Sequence, residues 1–215
     1  MLAILILAYT SMVTTIIVAL FVYFNKYRIF DSGSSIFRVY FFIAAAVDIL
    51  LFILQSMKIH NIAVMNLFSL AQFLLIALAL NQWMKNELLK KTIRIFSLIA
   101  FSVLTVKILI NIELKDFDTF SLAVENIILV ICSSIVMINL TGDTRQYLFK
   151  NYRFWITLAV FIYFSVSTVV FATGNLLIDD HVYVRRYTWV INSIMSIVAN
   201  SLYLKGILCL PIKKN

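Results

Sequence analysis

The chain has 215 residues, of which 63% are hydrophobic and 13% charged, with one proline, four glycines, two cysteines and a net charge of +8. No water-soluble core of that length hides so much apolar side chain, and so few glycines and cysteines exclude a fibrous chain or a disulfide-stapled secreted domain. The composition is that of a polytopic helical membrane protein.

A hydrocarbon core about 30 Å thick takes roughly 20 residues of helix at 1.5 Å each. Seven apolar runs of that length follow one another: Leu2 to Phe24, Ile36 to Met57, Asn61 to Met84, Ile93 to Ile112, Ser121 to Leu140, Phe154 to Leu177 and Thr188 to Leu210. They predict an all-α fold, a seven-transmembrane helix bundle forming a single membrane domain over residues 1–215. No predicted connection exceeds 13 residues, which leaves no room for a soluble domain.

The first run lacks a basic leader and an A-x-A-like cleavage site, so it reads as a retained helix rather than a secretory signal. The second carries Asp48, about 13 Å below its outer end and close to the bilayer midplane. The third carries Gln72 about 16 Å deep, and an acid and an amide at matching depth on neighbouring helices are expected to share a hydrogen bond. Lys107 stands about 7 Å below the outer end of the fourth run and Glu125 about 6 Å below that of the fifth. Eight residues separate those two runs, so the charges are expected to pair. In the seventh run Asn192, Ser196 and Asn200 recur every four residues and share one helix face, which is expected to look into the bundle. Such side chains in membrane helices commonly serve as interhelical glue.

Charge sets the expected orientation. Twelve of the 18 basic residues, Lys26, Arg28, Arg38, Lys85, Lys90, Lys91, Arg94, Arg145, Lys150, Arg153, Lys213 and Lys214, gather at one set of helix ends. Lys58, Lys115, Arg185 and Arg186 lie at the other. The positive-inside rule then places the N-terminus outside and the C-terminus in the cytoplasm. The excess positive charge is matched by anionic lipid headgroups, and nucleic acid is not an expected partner.

No enzyme constellation, cofactor motif or metal-ligand spacing is visible. His60 and His181 sit in outer connections without partners of ligating type, and Cys132 and Cys209 fall on different helices. Lys205 invites comparison with a retinal Schiff base, but it lies about five residues from the cytoplasmic end, where a lysine snorkels to the interface. Val64-Met65-Asn66 and Val190-Ile191-Asn192 hint at a duplication of helices one to three in helices five to seven around a lone fourth helix.

Four stretches of the C-terminal third, Arg153-Phe154-Trp155-Ile156, Ile162-Tyr163-Phe164-Ser165, Trp189-Val190-Ile191-Asn192-Ser193-Ile194 and Asn200-Ser201-Leu202-Tyr203, resemble a family of small, uncharacterised heptahelical membrane proteins of Bacteroidetes. The resemblance implies seven helices and a sensory role beside a separate signalling protein. It carries over no catalytic residue. The expected location is the cell inner membrane.

The reading that joins these observations is a sensor or receptor-like module without an output domain of its own, signalling through a cytoplasmic or membrane partner. Asp48, Gln72, Lys107, Glu125, Asn192 and Ser196 are its expected ligand-binding residues, converging on one outward-facing pocket with Asp48 at the floor. A small carrier or channel using Asp48, and an accessory subunit of a larger complex, stay open beside it, as does self-association. The lack of glycine or proline breaks at mid-depth weighs against the carrier.

Overall fold

The computed structural model describes residues 2–25, 28–110, 119–143, 148–174 and 181–212. Among them seven α-helices follow in chain order: α1 (Leu2–Phe24), α2 (Ser32–Ser56), α3 (Ile62–Gln82), α4 (Glu87–Ile110), α5 (Thr119–Asp143), α6 (Tyr152–Gly174) and α7 (His181–Leu208). A single 3-10 turn, Leu148–Lys150, leads into α6. Six of the seven are long and apolar enough over their described residues to cross a membrane. The chain is a multi-pass helical membrane protein. Large apolar side chains such as Ile138 and Val169 face outward at 69% and 62% exposure, which lipid rather than water accommodates.

The helix ends extend past the apolar runs wherever a polar side chain caps them. α2 begins at Ser32, four residues before its apolar run, because Asp31 caps it: Oδ1 accepts the Ser34 backbone N–H at 2.8 Å and the Ser34 hydroxyl at 2.7 Å. α4 begins at Glu87 rather than Ile93, since Asn86 Oδ1 accepts the N–H groups of Leu88 and Leu89. Hydropathy marks the lipid-spanning part of a helix, whereas capping marks where its backbone begins.

α1 packs on α2 and α7, α2 on α3, α3 on α5, α5 on α6, and α6 on α7, which closes a ring of six helices. α4 is not in the ring. It lies against α3, touches α5 only lightly, and turns Phe96 and Val103 outward. Its first turns also carry Lys90, Lys91 and Arg94, and it is the one helix of the seven absent from the six that qualify as membrane-crossing over their described residues. At the basic end it is held by Asn81, buried at the end of α3, whose amide donates to the Lys90 carbonyl at 2.7 Å and accepts from Arg94 Nη2 at 3.4 Å.

The densest packing lies in the half of the ring nearest the basic ends, where Val18, Val22, Phe37, Ile76, Leu80, Ile156, Val160 and Ile207 are fully buried. The hub of that half is Asp31. Besides capping α2, its Oδ2 accepts Tyr152 Oη at 2.7 Å, Arg153 Nη2 at 2.7 Å and Trp83 Nε1 at 3.0 Å. One carboxylate thus joins the start of α2, the end of α3 and the start of α6. The Trp83 ring stacks on Phe37 with centroids 5.5 Å apart. Gly33 permits that approach, because a Cβ there would meet the indole Nε1, lie 2.7 Å from its Cε2 and lie 3.0 Å from the Ala79 carbonyl. Beside the hub, Arg28 Nη1 donates to the Leu208 and Leu210 carbonyls at 2.8 and 2.7 Å, capping the end of α7 with a cation.

Burial by itself would raise the Asp31 pKa. The Ser34 backbone N–H, the Tyr152 and Ser34 hydroxyls and the Arg153 charge outweigh it and hold the carboxyl below its ordinary value. A depressed carboxylate pKa stabilises the fold fully above the ordinary range near pH 4, and that contribution is lost as pH falls through the lower folded value. Asp31→Ala strands the Trp83 and Tyr152 donors and should cost about 3 kcal/mol. Asp31→Asn, which keeps an acceptor but drops the charge in a half-exposed pair, should cost about half of that. Unfolding of the detergent-purified protein, followed against temperature and pH, measures both losses, and the gap between wild type and Asp31→Asn should narrow in acid.

Candidate functional site

Away from the basic end the positions that face the ring axis become short and polar: Ser11 on α1, Ser69 on α3, and Ser193 and Ser196 on α7. These side chains cannot fill the axis, and a cavity of about 250 Å³ opens between α1, α2, α3, α5, α6 and α7. It runs from the level of Met65, Phe171 and Trp189, near the helix ends opposite the basic side, to Tyr40, Phe41 and Tyr203.

Five of the six expected site residues line it: Asp48, Gln72, Glu125, Asn192 and Ser196. Lys107 does not. α4 packs on the outer side of α3, and the Lys107 ammonium reaches across to α5, where it donates to Ser121 Oγ at 3.0 Å and stands 5.5 Å from the centre of the Phe120 ring. Ser121 lies one turn before Glu125 on the same face of α5. Consecutive helices at matched depth therefore meet near their ends without both entering the ring, which the short connection alone could not reveal.

Asp48 stands on the cavity wall rather than at its floor. The lining continues past it through Ala44 to Tyr40 and Phe41, about 10 Å further along α2. The floor is aromatic: Phe41 and Tyr203 meet edge to face at 5.0 Å, and Phe37 beneath them contacts both. Among the described residues no hydrogen bond joins Asp48 to Gln72; Asp48 stands near Thr15 on α1, whose hydroxyl donates to the Ser11 carbonyl at 3.2 Å. The Thr15 hydroxyl is itself a point of attachment, for Asn200 Nδ2 donates to Thr15 and Thr14 Oγ1 at 3.2 and 2.9 Å. Asn192 Oδ1 accepts the Ser167 hydroxyl at 2.9 Å, so the polar stripe of α7 faces inward and ties α7 to both of its neighbours.

Glu125 is buried, and the adjacent Asn126 lines the same wall with an amide nitrogen that has no partner among the described residues. Asn126 was invisible as a site residue because an asparagine in an apolar run reads as glue. Only its burial, 4% exposed beside open space, sets it apart. Lys205 lies outside the cavity, with its ammonium 3.8 Å above the centre of the Trp155 ring on α6. Compared with models of protein families, with curated proteins and with solved structures, the chain matches none.

The α1–α7 seam should be measurably sensitive to Asn200. Asn200→Leu removes two interhelical donors and should lower unfolding stability by about 0.5–1.5 kcal/mol, the range of such bonds in membrane helices. Thermal unfolding compared with Ser201→Leu, on the exposed side of the same helix, isolates the effect.

Proposed function

We propose that the chain is a receptor-like sensor of the bacterial inner membrane, with seven membrane-crossing helices, its N-terminus outside and a ligand cavity that opens outward. The observation that carries the reading is the shape of the polar interior. A cavity walled by Asp48, Gln72, Asn192 and Ser196 ends on Phe41 and Tyr203, and below that floor the ring is filled by Phe37, Trp83 and the Asp31 hub. A receptor needs a polar chamber reachable from one side, and a carrier needs one reachable in turn from both. In this reading the filled, basic side faces the cytoplasm, which the charge asymmetry favours.

In this reading a ligand presses on the floor, where Tyr203 and Phe41 touch Phe37, and Phe37 touches the tryptophan that Asp31 holds. Output then passes to a separate partner at the basic surface, in keeping with the sensory role that the family resemblance implies. Proteoliposomes loaded with a pH-sensitive dye test the carrier alternative directly. Imposed proton and potassium gradients should decay no faster than in protein-free vesicles. A protein-dependent flux that Asp48→Asn abolishes would replace the receptor with a channel or carrier.

A further inference from the structure

The cavity has a chemistry of its own. Asp48 has no lysine, arginine or histidine of the described residues within ion-pair distance, and none lines the cavity. Glu125, the second carboxylate of the wall, is already engaged by another group, so Asp48 is the acidic anchor. Aromatic side chains from four helices line the same cavity, among them Tyr40, Phe41, Phe73, Tyr163 and Tyr203. A lone carboxylate withdrawn from water is costly until a cation meets it, and aromatic faces attract cations that shed their hydration easily. Hard metal ions hold water and ask for several oxygen ligands in a tight shell, and no group of three ligating side chains occurs among the described residues. The volume, about 250 Å³, lies just under the roughly 300 Å³ at which pockets for drug-sized ligands begin. Asn126 also lines the cavity, and its buried amide nitrogen has no hydrogen-bond partner among the described residues, which leaves a donor available to an acceptor on the occupant.

We infer that the cavity binds a small organic ammonium ion, its charge against Asp48, its apolar body among the tyrosine and phenylalanine rings, and a hydrogen-bond acceptor on that body against Asn126. This rests on the receptor reading for the side from which the ligand enters, and not for the chemistry of the site.

Three probes of nearly one shape test it by calorimetric titration of the detergent-purified full chain at neutral pH: 3-phenylpropylamine, its neutral analogue 3-phenyl-1-propanol, and 2-phenoxyethylamine, in which an ether oxygen replaces one methylene. The amine should bind about tenfold more tightly than the alcohol, a difference of about 1.4 kcal/mol. Asp48→Asn should erase that preference, and Asp48→Glu, which keeps the charge, should retain it, so a folding defect in one variant does not decide the matter. The ether amine should bind more tightly than 3-phenylpropylamine, and Asn126→Leu should remove that gain. Equal affinity for amine and alcohol, unaltered in Asp48→Asn, would overturn the ammonium assignment while leaving a one-sided receptor cavity in place. An Asp48-dependent response to sodium with no response to any amine would overturn it in favour of an inorganic ion. Sidedness fails separately, through the flux experiment.

Discussion

The fold turns on one carboxylate. The Asp31 side chain accepts five hydrogen bonds, two that start α2 and three from Trp83 at the end of α3 and Tyr152 and Arg153 on α6. Donors from three helices meeting at one residue fix where those helices converge. Their convergence brings Gly33 against the indole and Phe37 onto its face, and the apolar core fills in around that stack. Arg28 extends the same logic to α7 by capping its last carbonyls, while Ile29 N–H donates to the Pro211 carbonyl. The basic end is therefore the closed end of the ring. The cavity lies toward the other end, where the described side chains that face the axis are short.

Within hydrocarbon, polar side chains have only one another to satisfy them, and the polar pairs of this ring sit at its seams. Asn200 with Thr14 and Thr15 closes α7 on α1, Ser167 with Asn192 closes α6 on α7, and Asn81 with Lys90 and Arg94 fastens α4 to α3. Two residues of the cavity wall are left out of this pairing among the described residues: Asp48 without a cation and the Asn126 amide nitrogen without an acceptor. A structural role consumes a polar group, and a binding role leaves it available.

Seven helices, six of them long and apolar enough to cross a membrane, were legible in the sequence because the hydrophobic thickness of a bilayer sets a length that apolar runs must meet. Convergence of Asp48, Gln72, Glu125, Asn192 and Ser196 was legible for a related reason, since polar groups facing lipid would oppose insertion. Lys107 was misplaced because depth along a helix says nothing of where the helix stands around the ring, and α4 stands outside it. Asp48 was set too low in the pocket because depth in the bilayer does not locate the floor, which lies about 10 Å further along α2, where Phe41 meets Tyr203. The importance of Asp31 was hidden for a different reason. Its capping role is local and could be read from the serines that follow it, but Trp83 and Arg153 lie 52 and 122 residues away in the chain, and no periodicity connects them.

The central claim, a polar cavity reached from one side only, is tested most directly by the accessibility of Ser196. In a Cys209→Ser background, Ser196→Cys should react with a small, membrane-impermeant thiol reagent in intact cells, as His60→Cys at the opposite surface does. It should stay protected in inside-out vesicles, where Lys91→Cys at the basic surface reacts. Labelling of Ser196→Cys from the Lys91 side, from both sides or from neither would contradict the account.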